Sequence, residues 1–456
     1  MYHSLKFLIF SGLLCSIFSL YAITPFKENE KAVFLGDSIT HGGAYLYWTQ
    51  AMYQLRRPGN IRLENSGISG DSANGGFARL GYDVLDRKPN RVFIMFGMND
   101  INLTLYAKGG TALDEKRLKT LKGYETYINR ICARLKAANI PAVLMTPTPY
   151  NQYGKNNPST YNEVGLATAA DIVRKTAKKR NLEVVEFYTP MTEIIKTQPK
   201  FSPMRTDKVH PNELGQLLMA YYLCKAAGLD GKIAETSINA ADGKIRSVKN
   251  AVIRNIKTSG KKGKTASGIS FEYALSRLPF IMDDKQHKGI DTLVPFTAEF
   301  NTELLQISNL TQGKYQLYAD GKAIGEFTSA DLDKGINLAL LKTPSRRQAQ
   351  KIFDQIAVIR SCFSCLRSVV QCDRFALAQK ADLKDPESCF KGVDKWYQIR
   401  FGNKKSGHQK YYATVIKNYK KNKLLVNDTL KQLDEAYKKM HRVNRSVSYK
   451  IELKKK

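Results

Sequence analysis

Five residues on four short stretches have the types and spacing that acyl transfer requires. Ser38 lies in VFLGDSITHG, where an apolar run breaks at Gly36 into a small polar turn. A serine hydroxyl is a weak nucleophile and works only beside a base that takes its proton. His210, in TDKVHP, has Asp207 three residues before it, a spacing at which the carboxylate can hold the imidazole tautomer and stabilise the imidazolium. The tetrahedral intermediate then needs donors aimed at its oxyanion. The backbone N–H groups of Ser38 and of Gly70, in NSGISGDS, and the side-chain amide of Asn99, in FGMND, supply three. Losing one such donor typically costs about 2.7–4 kcal/mol of transition-state stabilisation.

The elements that must position these groups are legible as punctuation. AVFLG, RVFIMFG, IPAVLMTPTP and LEVVEFY are short apolar runs of the kind that form buried parallel strands. Between them, residues 114–138 and 161–180 read as helices. Such alternation predicts a parallel sheet covered by helices on both faces. Sites in these sheets form from loops at the carboxyl ends of strands, where the GDS and GMND stretches fall.

GDSIT, SGISGD, GMND and DKVH, in that order, resemble the four blocks of the SGNH (GDSL-type) hydrolase family over residues 30–230. The resemblance implies a flavodoxin-like three-layer α/β/α domain and assigns the roles. Ser38 is nucleophile and first oxyanion donor, Gly70 the second donor and Asn99 the third; His210 is the base and Asp207 its partner. Neither cofactor nor metal is expected. The first block reads GDSI rather than GDSL, a change that touches no reacting atom. Taken singly, Ser38 reads as a helix N-cap, His210 as a surface histidine, and Gly70 and Asn99 as turn residues. His41 reads as a solvated loop residue beside the pocket. Asp37, Asp71 and Asp100 read as turn residues bonded to backbone.

The family includes esterases, lipases, thioesterases and carbohydrate deacetylases, so fold alone does not choose the substrate. No long apolar lid is visible, which weighs against a lipase. Tyr45, Tyr47, Trp48, Tyr106, Tyr150 and Tyr153 follow candidate strands, and aromatic faces suit sugar rings; scattered packing is the other reading. The expected substrate is an acylated, chiefly acetylated, glycan. Two alternatives stand beside it: a carbohydrate- or surface-binding protein with a vestigial hydrolase domain, and a lipid esterase or lysophospholipase on the same site.

The 456 residues suggest two or three domains. Residues 1–22 have the anatomy of a signal peptide, with Lys6 before an apolar run broken by serines, so a secreted or periplasmic location is expected. An export address disfavours acyl-CoA substrates. No later segment is long and apolar enough to span a membrane. Cys362, Cys365, Cys372 and Cys389 form a cluster for which export favours disulfides over zinc, with the pairing open. Cys132 and Cys224 read as small buried hydrophobes.

Residues 234–345 read as a β-rich accessory module, with Asp320-Gly321 as a hairpin turn. Residues 346–456 form a basic, mainly helical C-terminal region whose last strand, SVSYKIEL, alternates as if to return to the β module. The formal charge of +31 is concentrated there: 27 Lys and Arg against 10 Asp and Glu after residue 345. An exported protein without a nucleic-acid motif suggests an anionic polysaccharide or cell surface as partner, not nucleic acid. A solvated helical face is the plainer reading.

Overall fold

The computed structural model describes residues 22–56, 59–153, 157–260, 264–283, 285–402 and 406–456. All but the last residue of the expected signal peptide therefore lies outside the described residues. By contacts the chain forms two compact units: Met1–Thr49, Ile61–Gly228 and Ala357–Tyr437 in the first, Gln50–Asn60, Leu229–Ile356 and Lys438–Lys456 in the second.

In the first unit, five short, largely buried strands form, β1 Lys31–Gly36, β2 Arg62–Gly67, β3 Arg91–Met95, β4 Ala142–Met145 and β5 Glu183–Val185. Four come from apolar runs, whereas β2, RLENSG, buries polar Glu64, Asn65 and Ser66. Their order is β2-β1-β3-β4-β5 and every pairing is parallel. Phe34 of β1 stacks on Phe93 of β3, centroids 4.4 Å apart. The connecting helices include α1 Ser38–Gly42, α2 Ala44–Arg56, α3 Glu115–Ala137, α4 Ala167–Arg180 and α5 Glu213–Ala226. A π-helical turn at Tyr161–Leu166 leads into α4. This is the three-layer flavodoxin-like fold. Its strand order reverses between β1 and β3, the topological switch point outside whose carboxyl ends sites in such sheets form.

Four more helices follow late in the chain: α6 Pro344–Leu377, α7 Pro386–Phe401, α8 Gly407–Leu424 and α9 Val426–Val443. Val369, Cys372, Phe375, Cys389, Val393, Ile416 and Tyr419 form a core among them, where Phe375 and Trp396 stack at 3.8 Å. The disulfides expected here are absent: Cys362, Cys365, Cys372 and Cys389 are all thiols. Three of the four sit on α6 at helical spacing: Cys362 and Cys372 pack inward as small apolar side chains, and Cys365 is half-buried beside the Thr429 hydroxyl. Burial pushes the Cys372 thiol up to about 12, and the Cys389 thiol donates to the carbonyl of Asp382 at 3.3 Å.

The second unit holds two sheets. β6 Ala234–Asn239, β7 Lys244–Lys249, β10 Glu303–Ser308 and β13 Ile336–Asn337 form one, in the order β13-β10-β6-β7. β8 Ala251–Ser259, β9 Gly268–Leu275, β11 Lys314–Ala319, β12 Lys322–Thr328 and β14 Val447–Lys455 form the other, in the order β12-β11-β14-β9-β8. Ile238, Leu305 and Ile307 from the first sheet share a core with Phe271, Tyr273, Leu317, Ile451 and Leu453 from the second. Asp320 (φ 48°) and Gly321 (φ 72°) make the tight turn between β11 and β12 with the two left-handed residues a type I′ hairpin requires. The chain leaves this unit after β13, passes through the helices, and returns as β14 between β11 and β9.

Candidate active site

Three neighbouring strands end at one place. β1 runs into Asp37-Ser38, β2 into Gly70, and β3 into Gly97 and Asn99. Asp37 caps α1 by accepting from the Ile39 N–H at 2.9 Å. The Ser38 N–H is in the same first turn, where no helical carbonyl can reach it. Glycine is required where backbone crowds the corner. A Cβ on Gly67 would lie 2.1 Å from the His41 nitrogen and 2.4 Å from the Thr40 carbonyl carbon. Backbone atoms have no rotamer to move, so Gly67→Ala is expected to cost about 1–3 kcal/mol of stability. A urea-midpoint shift worth less than about 0.5 kcal/mol would show that the corner yields.

Ser38, His210 and Asp207 are brought together. Ser38 Oγ lies 2.8 Å from His210 Nε2 across 172 residues of sequence, and His210 Nδ1 lies 2.8 Å from Asp207 Oδ2. With Nδ1–H donated to the carboxylate, Nε2 is the acceptor that faces the hydroxyl. The other oxygen of Asp207 accepts from the Val209 and His210 N–H groups, both at 2.9 Å. Partial burial pushes the Asp207 carboxyl up. These bonds outweigh it and hold the group below the usual carboxylate range. The histidine loop is pinned at its base, where Arg205 N–H donates to the His210 carbonyl at 2.8 Å and Asn212 caps α5.

Gly70 sits in a turn closed by the Asp71 N–H on the Ile68 carbonyl at 3.1 Å. Its φ of 73° is the reason for glycine, because a Cβ would meet nothing within 4 Å. Asn99 donates its amide to the Asp71 carbonyl at 2.8 Å, which ties the loops after β2 and β3 together beside β1. If that amide is an oxyanion donor, Asn99→Ala lowers kcat about 10²–10³-fold with KM little changed. An unchanged kcat would remove it from the site.

The supporting residues differ from their sequence readings in several places. His41 is half-buried, and its Nδ1 accepts from the Ser69 N–H at 3.1 Å, one residue before Gly70. Burial, with Arg367 and Arg79 nearby, pushes its pKa down to about 4, so the ring stays neutral and keeps that lone pair. Asp37 and Asp100 do bond to backbone, Asp100 accepting from the Ala73 and Gly97 N–H groups at 2.9 and 3.0 Å. Burial raises Asp37 to about 7 and Asp100 to about 6. The Asp71 carboxylate instead pairs with Arg79 at 2.8 Å.

The tyrosines read as a sugar platform are mostly core. Tyr45, Tyr47 and Tyr106 are buried, because α2 starts directly after α1 and because Arg117 and Tyr161 cover Tyr106. Trp48, Tyr150 and Tyr153 keep partial exposure. The sequence holds a second Asp-x-x-His pair, Asp284 and His287. His287 belongs to the β-rich unit, where its Nδ1 accepts from the Asp283 N–H at 3.1 Å.

Comparison with known proteins agrees with this architecture. Residues 34–218 match the model of the GDSL-like Lipase/Acylhydrolase family. An acetylxylan esterase of Geobacillus stearothermophilus is 27% identical over 225 residues, 44% of this chain and 96% of the relative. Thioesterase 1/protease 1/lysophospholipase L1 of Escherichia coli is 26% identical over 204 residues, 43% of this chain and 82% of the relative. Among solved structures, a gut microbial diltiazem-metabolizing enzyme superposes with a TM-score of 0.82 at 28% identity, covering 96% of this chain and 100% of its own. The similarity thus extends through the β-rich and late helical regions as well as the strand–helix core. Residues 34–218 thus carry a GDSL-like lipase/acylhydrolase domain of the SGNH type, and the protein is an ester hydrolase.

Proposed function

We propose that this protein is an exported serine esterase that removes a small acyl group, chiefly acetyl, from a glycan. The observation that carries the reading is the Ser38–His210–Asp207 relay, with 2.8 Å at each link. Ser38 Oγ attacks the ester carbonyl while its proton passes to His210 Nε2. Asp207 stabilises the imidazolium, and the N–H groups of Ser38 and Gly70 with the Asn99 amide receive the oxyanion. Collapse expels the sugar alkoxide, which takes the proton from His210 and leaves an acyl-serine. Water then attacks that ester, gives a proton to His210, and releases the acid as the proton returns to Ser38.

The acetylxylan esterase relative supports acetyl on a carbohydrate as the substrate class. The whole-chain similarity to a diltiazem-metabolizing enzyme favours a second reading, a small non-sugar ester. Export is proposed from the composition of residues 1–22, and N-terminal sequencing of the mature protein tests it. The basic surface of the late helices is proposed to meet anionic polysaccharide. One panel separates these readings: acetate release from neutral and anionic acetylated glycans, diltiazem turnover, and fatty-acid release from lysophospholipid. Release from glycans alone supports the proposal. Turnover confined to diltiazem or to lysophospholipid replaces the glycan with that substrate.

A further inference from the structure

The family match ends at residue 218, yet the same compact unit resumes at Ala357 and runs to Tyr437. Within it, α6 carries Arg360, Arg367 and Arg374 seven residues apart. Seven residues make nearly two helical turns, so the three side chains leave one face in a stripe. Arg360 lies 3.8 Å from Glu213, the first residue of the helix that follows the His210 loop. Arg367, 1% exposed, donates both terminal nitrogens to the two oxygens of Asp83, each at 2.7 Å. Arg374 approaches the Asp71 carboxylate at 3.5 Å and is one-third exposed.

Asp83 and Asp71 are joined by a single buried side chain, Arg79. Its Nη1 donates to Asp83 at 2.5 Å and to the Ser66 carbonyl at 2.9 Å; its Nε donates to Asp71 at 2.8 Å. Its Nη2 donates at 3.0 Å to the carbonyl of Gly36, two residues before Ser38. The Asp71 carbonyl in turn holds the Asn99 amide. Charge-assisted bonds therefore run from α6 to the ends of β1 and β2, and the neutral Asn99–Asp71 bond extends the chain to the loop after β3.

We propose that the arginine stripe of α6 is a positioning device for the oxyanion side of the site, so that the late helices are a working part of the hydrolase unit. Arg367 and Arg374 act through Asp83, Asp71 and Arg79 on the loop bearing Gly70 and on the Asn99 amide. The inference rests on reading those two residues as oxyanion donors. A buried guanidinium is tolerated only when paired, so α6 docks with Asp83 in place and the loop is fixed in the same step. Bidentate pairing sets orientation as well as distance, which a point charge does not.

The test uses the full chain with Arg374→Gln, Arg374→Lys and Arg367→Lys, each assayed on an aryl acetate beside wild type and Ser38→Ala. Misplacement of this order is expected to lower kcat about 10- to 100-fold in Arg374→Gln and Arg367→Lys, with KM and the pH dependence of kcat/KM unchanged, since the His210–Asp207 pair is untouched. Arg374→Lys recovers most of the loss, because the charge on Asp71 returns. Amide hydrogen exchange over residues 68–75 rises in the two impaired variants, a readout that needs no turnover. Wild-type kcat and unchanged exchange in Arg374→Gln would overturn the proposal, and that residue is exposed enough for the variant to fold should Arg367→Lys not. Wild-type turnover that survives in Ser38→Ala would instead overturn the esterase mechanism, leaving the exchange result to judge the stripe.

Discussion

Replacing Ser38 by alanine is expected to lower kcat on an acetyl ester about 10⁴-fold or more while leaving the urea midpoint where it was. The size follows from the geometry. Ser38 Oγ lies 2.8 Å from His210 Nε2, so the hydroxyl has a base within hydrogen-bond reach. Without it, only binding and the oxyanion donors remain to act on a water molecule. The fold loses little, because Ser38 is half-buried at the start of α1 and the cap of that helix comes from Asp37. The measurement is acetate release under saturating substrate, with the midpoint taken on the same preparation. A variant within tenfold of wild type would remove Ser38 from the nucleophile's role. His210→Ala should match it, since residues that act as one unit are not additive.

The strand–helix core was legible because its signals are local. Apolar runs that end in glycine announce buried parallel strands, and the order of the blocks announces which loops meet. What stayed hidden depends on partners far away in sequence. Nothing near Asp83 indicates that Arg367 binds it from 284 positions further on. The heptad spacing of Arg360, Arg367 and Arg374 was available, but in a helix with 34 residues and a large basic excess it reads as solvated surface. His41 reads as a solvated loop residue because the polar stretch around it gives no sign of the short helix that packs it against the Gly70 turn. An export address favours disulfides among the late cysteines, whereas the fold places Cys362, Cys372 and Cys389 in the interior as thiols. Tyr45 and Tyr47 show the same conflict: a place just after a strand suggests an exposed site rim, whereas α2 has already begun and buries them. In each case tertiary packing decided, and the local pattern was compatible with both outcomes.

Asp83→Ala is expected to destabilise the first unit by about 3–5 kcal/mol at neutral pH. Asp83 is 1% exposed and accepts from Arg79, Arg87, Arg367 and the Ser66 hydroxyl. Burial alone would raise its pKa, but the three guanidiniums outweigh it and hold the carboxyl far below the usual range. The alanine variant leaves those cations facing one another without their shared anion. The pH dependence gives the sign. A group depressed in the folded state stabilises it fully above its unfolded pKa of about 3.9, and that contribution fades as pH falls toward the folded value. Asp37 and Asp100 work the other way: raised to about 7 and about 6, they favour the fold most in acid and lose that contribution as pH rises through those values. Both groups are present in wild type and variant, so the gap between the two proteins isolates Asp83. It should be flat from about pH 5 to 8 and narrow below about pH 4. Urea midpoints at four pH values measure it. A gap below about 1 kcal/mol at neutral pH, or one that does not narrow in acid, would mean that Arg79 and Arg367 are held by their backbone partners and not by this carboxylate.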